Sequence, residues 1–295
     1  MDRELFLRAC EIVKHNEQSV MSVASPQRPF LDTQSSIEKT QRPFVDTQPS
    51  IGKSPSSIEK SQSSIGRLGE KTLHAVVKYY VEPDDNKHEI KVGAFYADIV
   101  NDSGIIEIQT RSFNALRKKL EVFLEEYDVL IVYPLPSTKW LMWIDEETGA
   151  VTKKRKSPKQ GRVYDAVHEL YKIRPLLKHP SLSLRLMFID MVESRFLDGW
   201  SKDKKRGSTR YNRLPVDIVD EVYFRSAADY LQFVPDKLEY HFTSKDYSSA
   251  AKVNLYTAQT ALNILHYVGA VERVGKNGNL HVYERVLEGT VEGRQ

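Results

Sequence analysis

Between Gly66 and Pro136 the spacing of apolar residues changes period in a fixed order, and no other stretch constrains the fold as tightly. Leu68, Leu73, Val76 and Val77 recur at helical spacing over roughly 67–80. Lys87–Val92 and Ala94–Val100 alternate as strands, and the turn Asn101-Asp102-Ser103-Gly104 leads into a third strand at Ile105–Thr110. Ser112 is placed to cap an amphipathic helix from Phe113 to Glu126, with Leu116, Leu120, Phe123 and Leu124 turned inward. The continuous run Asp128–Pro134 suits a strand buried on both faces, and Lys139–Ile144 suits one more. Helix, strand, strand, strand, helix, strand implies an α/β domain, a mixed sheet flanked by helices.

Two carboxylates interrupt this pattern. Asp98 lies within Phe95–Val100 and Glu107 within Ile105–Thr110, apolar β-branched runs where an unpaired charge is costly. Period-two alternation puts Glu107, Gln109 and Arg111 on one face of the third strand, and Asp98 shares that face if the second strand pairs alongside. Glu70 stands in the first turn of the first helix, where an acid also favours the helix dipole. Either strand acid alone is ordinary on a half-exposed sheet. Together, with Glu70 upstream, they suggest a Mg²⁺ or Mn²⁺ site, because oxygen ligands and retained waters suit phosphodiester hydrolysis. Gln109 would orient the attacking water.

This order of elements, with Glu70, Asp98 and Glu107-Ile108-Gln109 at those places, resembles the PD-(D/E)xK, or restriction endonuclease-like, nuclease superfamily over about 66–145. The resemblance implies a restriction endonuclease-like fold, metal binding by Asp98 and Glu107 joined by Glu70, and catalysis by Glu70, Asp98, Glu107 and Gln109. Two departures stand out. Ala97 replaces the proline that commonly precedes the aspartate, and Gln109 stands where the family usually has lysine. Lys118 or Lys119, on the following helix, is the candidate to take over the lysine's role.

The flanking segments add partners. Residues 2–15 form an expected short amphipathic helix through Leu5, Phe6, Ala9, Ile12 and Val13. Gln27–Gln34 is repeated at Gln41–Gln48, over an apolar residue every seventh position. That is too sparse for a coiled coil and is broken by Pro29, Pro43, Pro49 and Pro55, so 16–65 is expected to be a disordered tether or a docking repeat for a protein partner. Residues 151–240 read as an α+β connecting region with 214–240 unassigned, and 289–295 as a tail. Over 241–288 a capped helix from Phe242, a second helix Tyr256–Tyr267 ended by Gly269, and a hairpin around Lys276-Asn277-Gly278-Asn279 resemble a winged-helix DNA-binding domain. That resemblance implies base contacts from Tyr256, Thr257, Gln259, Thr260 and Asn263, with Lys276 on phosphate.

Composition narrows the class. A chain of 295 residues with 40% hydrophobic and 28% charged residues has room for two domains. Its single cysteine excludes an internal disulfide framework or a multi-cysteine zinc site, which favours the cytoplasm. No apolar run is long enough for a membrane span and the first residues do not read as a signal peptide, so no membrane partner is expected. The formal net charge is only +3, but cations cluster at 153–162 and 202–213, and Lys154, Arg155, Lys205 and Arg206 are candidate phosphate contacts. His74, His168, His241, His266 and His281 show no metal-ligand spacing and read as structural. The resulting expectation is a metal-dependent DNA endonuclease, with a homodimer left open. The alternatives are a non-catalytic DNA-binding regulator on a degenerate nuclease core, or a protein-interaction scaffold.

Overall fold

The computed structural model describes residues 2–23, 72–110, 112–145, 147–198 and 209–286. The chain opens with α1 (Arg3–Val23). After α2 (72–81) come β1 (His88–Val92), β2 (Phe95–Asn101) and β3 (Gly104–Ile108), then α3 (Arg117–Phe123) and β4 (Val129–Ile144). Next are β5 (Arg155–Gln160), α4 (Val167–Lys172), β6 (Leu182–Phe196) and β7 (Arg210–Phe224). The C-terminal part contains β8 (Phe242–Thr243), α5 (Ser244–Ala251), α6 (Leu255–Val268), β9 (Val271–Asn277) and β10 (Leu280–Arg285).

One mixed, seven-stranded sheet in the order β1-β2-β3-β4-β6-β7, with β5 added to β4, organises the α/β body. β1, β2 and β3 form an antiparallel meander, β3–β4 and β4–β6 are parallel, and β6–β7 is antiparallel. The meander depends on tight turns. At Gly104 the backbone has φ +110°, and a Cβ there would lie 2.3 Å from the carbonyl oxygen of Asp128. The parallel step from β3 to β4 then requires a crossover, which α3 supplies.

Each face of the sheet is covered by helices. One cluster packs Leu120 and Phe123 of α3 and Leu170 of α4 on Ile131, Leu184 and Leu186. The other packs Phe6, Ala9, Cys10 and Val13 of α1, with Leu73, Val76 and Val77 of α2, on Ile99, Ile106, Ile108 and Val132. The N-terminal helix is thus a docked layer, fixed further by Arg3 Nε at 2.8 Å from Asp217 Oδ1 on β7. It also continues past the expected end at residue 15 to Val23. The repeats at 27–34 and 41–48, and Glu70, lie outside the described residues.

Several expectations need correction. The runs at 128–134 and 139–144 are a single strand, β4, whose register with β6 shifts between Pro136 and Lys139. Residues 151–240 are not a separate connecting region, because β6 and β7 extend the same sheet. The basic stretch at 153–162 contains β5, and 214–240, left unassigned from sequence, holds the end of β7 and a 3-10 turn at Ala228–Phe233. The helix expected from Phe113 begins as a 3-10 turn, and Ser112 makes no side-chain cap. Instead the Phe113 amide donates to Glu169 Oε2 of α4 at 2.8 Å, while Lys172 Nζ donates to Ser112 Oγ at 3.0 Å. A tertiary contact has replaced a local one.

At the C-terminus the expected order of helix, turn, helix and hairpin is present. Thr243 and Asp246 form a capping box on α5, and Gly269 closes α6 at φ +87°. β8, β10 and β9 make a small antiparallel sheet. The unit is not independent of the body, since Ala258, Ala261, Leu262 and Leu265 of α6 belong to the same hydrophobic cluster as α3 and α4. Arg162 adds hydrogen bonds to the carbonyls of Ala251 at 2.7 Å and Lys252 at 3.1 Å. No described helix is long and apolar enough to cross a membrane.

Candidate active site

The register that pairs Ile99 with Ile106 puts Asp98 opposite Glu107, where the β2–β3 ladder opens. There side chains take over from backbone pairing. The Asp98 amide donates to Glu107 Oε1 at 3.3 Å, and the Ile108 amide donates to Asp98 Oδ2 at 2.7 Å. Two bases reach the pair from opposite layers. Lys119 Nζ of α3 lies 2.7 Å from Glu107 Oε2, and His74 Nε2 of α2 lies 3.2 Å from Asp98 Oδ2. The Glu107 side chain is only 2% exposed, whereas Asp98, Lys119 and His74 keep 16%, 18% and 26% of theirs.

The two carboxylates titrate in opposite directions. Burial, followed by the charge of Asp98, pushes Glu107 up to about 7 despite the ammonium of Lys119. Burial also acts to raise Asp98, but the hydrogen bond and charge of His74, the Ile108 amide and Lys119 outweigh it and hold Asp98 below the usual carboxylate range. One proton is therefore bound near neutrality by a pair of acids within reach of a lysine and a histidine.

Gln109 does not face this cluster through its amide nitrogen, which donates to the Ser112 carbonyl at 3.2 Å. Its side chain ties the end of β3 to the start of the α3 turn. Of the two lysines weighed for the missing role, Lys118 is exposed and Lys119 turns inward. His74, read as structural from spacing alone, is the residue the sequence understated. The available signal was its position four residues after Glu70, one turn along the same helical face. Opposite Asp98 on β1, Glu89 adopts φ +50°, and its carboxylate pairs with Lys78 of α2. A non-glycine residue in that conformation stores on the order of 1 kcal/mol beside the site.

Among the described residues no group of three His, Cys, Asp or Glu is arranged as a metal-ligand set. The two carboxylates offer the hard oxygen donors that Mg²⁺ and Mn²⁺ prefer, but Lys119 and His74 already contact them.

The residues expected to touch DNA separate into distinct places. On α6, Thr257 and Thr260 are buried, with Thr257 Oγ1 2.9 Å from His168 Nε2 and Thr260 Oγ1 donating to the Tyr256 carbonyl at 2.8 Å. Asn263 Oδ1 accepts from Arg174. These three are engaged within the protein and do not form a free reading face, because α6 packs on α4. Tyr256 and Gln259 remain exposed, as does Lys276 at the hairpin. Lys154 and Arg155 are exposed at β5, and Lys205 and Arg206 lie outside the described residues.

An uncharacterized protein of Treponema pallidum (strain Nichols) is 26% identical over 223 residues, covering 73% of this chain and 85% of its own length. No solved structure matches the chain. Residues 71–225, over half of the chain and including the carboxylate pair and the whole seven-stranded sheet, match the model of a domain of unknown function, and the chain belongs to that family, DUF8091.

Proposed function

We propose that this protein is a metal-dependent DNA endonuclease of restriction endonuclease-like fold, with Asp98 and Glu107 as metal ligands and Lys119 as the catalytic lysine. The observation that carries this reading is the placement of Asp98 and Glu107 across one strand pair with Lys119 2.7 Å from Glu107. The order α2-β1-β2-β3-α3-β4, with an antiparallel meander and a parallel fourth strand, supports the fold assignment.

A bound Mg²⁺ or Mn²⁺ would neutralise charge on the scissile phosphate and lower the pKa of a coordinated water. The protein's own groups do the remaining work. Asp98, kept ionised with His74 in contact, supplies a permanent negative ligand. Glu107 gives up its proton near neutrality, so loading of the site is coupled to pH. Lys119 favours the ionised form of Glu107 and brings a positive charge to where phosphate charge develops. Gln109 acts as a positioning residue through Ser112 at the start of the turn that carries Lys119.

A second reading, a non-catalytic DNA-binding protein, is favoured by one feature: Lys119 and His74 already partner both carboxylates. The β8–β10 unit fits a winged helix whose second helix serves contacts within the chain. Incubating supercoiled plasmid with the full chain and Mg²⁺ or Mn²⁺ separates the two readings. Nicking by the wild type that disappears in Asp98→Ala supports the nuclease, and retention of DNA without nicking under either cation supports the second reading.

A further inference from the structure

The long strands of the sheet continue well beyond the body they stabilise. Past Pro136, none of the described side chains of β4 or β5 enters either hydrophobic cluster. The far halves of β4, β6 and β7, with β5, form an arm held mainly by strand pairing and by one buried carboxylate. That carboxylate, Glu193, is 1% exposed and gathers three cations: Lys139 at 3.3 Å, Arg195 Nε at 2.6 Å and Arg210 at 3.6 Å. Among the described residues of 137–162 and 191–213 there are ten Lys and Arg against four Asp and Glu, in a chain whose net charge is only +3. These segments carry an excess of positive charge, and Met191 is their one residue in either hydrophobic cluster.

On this arm Lys153, Lys154, Arg155 and Lys156 are exposed in succession, and none makes an ion pair among the described residues. Lys154 stands over the Trp140 ring at 4.9 Å, which fixes its ammonium at the surface. β6 alternates regularly, so Val192 shares a face with Leu184, Leu186 and Phe188. Trp140 pairs with Val192 and Lys156 pairs with Trp140, so both lie on the face covered by α3. Glu107 pairs with Ile131, and from Ile131 to Trp140 the partner strand β6 advances eight residues, which puts the lysines roughly 26 Å from the carboxylates, within one turn of duplex DNA.

We infer that this arm, and not α6, holds the backbone of duplex DNA, with Lys154 and Lys156, both beside Trp140, as the phosphate contacts; Arg155 pairs with Leu141 and turns to the opposite face. The inference rests on the nuclease reading for the identity of its substrate, but binding can be measured without cleavage. The test is titration of a labelled DNA duplex of roughly three helical turns with the full chain in EDTA across a salt series. Wild type binds with a steep salt dependence. The double variant Lys154→Ala, Lys156→Ala flattens the slope by about 2 and weakens binding roughly tenfold or more, because each lost phosphate contact removes about 0.9 from the slope. The pair Tyr256→Ala, Gln259→Ala on α6 stays within about twofold of wild type.

An unchanged double variant, a loss carried by the α6 pair, tighter binding of the matching RNA duplex, or no salt-dependent DNA affinity each overturns the inference. Arm-dependent binding by a protein that cleaves under neither cation overturns the nuclease reading and leaves the arm standing.

Discussion

Asp98 and Glu107 lock the open end of their strand pair by exchange: each carboxylate accepts an amide from the opposite strand, at 2.7 Å from Ile108 and 3.3 Å from Asp98. The same contacts that hold β2 against β3 force two acids together in a buried place. The cost of that arrangement appears as the raised pKa of Glu107.

A pH dependence of stability follows with a definite sign. Glu107 binds its proton more tightly in the folded protein, at about 7, than its ordinary value of 4.5. The native state therefore holds the extra proton between those values, and stability falls as pH rises through this window, by at most a few kcal/mol. Denaturant titrations of wild type and Glu107→Gln at pH 5 and pH 8 should show the wild type losing more stability at the higher pH. Parallel losses would remove Glu107 as the source. Asp98 acts oppositely, stabilising above its ordinary pKa and ceasing to do so as pH falls through its lowered folded value.

Proton release gives a second readout that does not depend on cleavage. At pH 7 a divalent cation bound as proposed by Asp98 and Glu107 would displace part of the proton on Glu107. Calorimetry with Mn²⁺ should give a heat that varies with the ionisation enthalpy of the buffer, and Glu107→Gln should abolish that variation. A heat independent of buffer would separate the metal from this pair.

Docking of α1 makes the N-terminus part of the core. Phe6 is fully buried, with its ring edge-on to Tyr80 at 5.4 Å. Phe6→Ala should cost about 3–5 kcal/mol, read from the shift of a urea midpoint. A change below about 1 kcal/mol would mean that α1 is a detachable appendage.

Gly161 marks where β5 leaves β4, with its amide on the Ser137 carbonyl at 2.9 Å. A Cβ there would lie 1.9 Å from the Pro136 carbonyl oxygen, and a backbone atom cannot yield as a flexible side chain can. Gly161→Ala should destabilise by roughly 2–4 kcal/mol and raise amide exchange in β5, whereas Gly275→Ala, with open space around it, should leave exchange there unchanged.

The sequence disclosed those elements whose signals are local. The β1–β3 meander, the Asn101–Gly104 turn, the capping box at Thr243 and the Gly269 stop all depend on residues a few positions apart. What it concealed depends on distant partners. The cap on Phe113 comes from Glu169, and the burial of Thr257 comes from His168. The continuity of β6 and β7 with the sheet is a matter of pairing that no window of residues contains. For the site, the two strand acids were legible from alternation, but His74 and the choice of Lys119 over Lys118 required the two helices to be set on their layers.

The most direct measurement is the initial rate of plasmid nicking in Mn²⁺ by wild type, Asp98→Ala, Glu107→Gln, Lys119→Ala and Gln109→Ala, each shown to be folded by circular dichroism. Wild type should nick. The Asp98, Glu107 and Lys119 variants should each lose on the order of a hundredfold or more, and Gln109→Ala no more than about tenfold. No nicking by wild type with Mg²⁺ or Mn²⁺, or nicking that persists in Asp98→Ala and Lys119→Ala, would contradict a nuclease built on this pair.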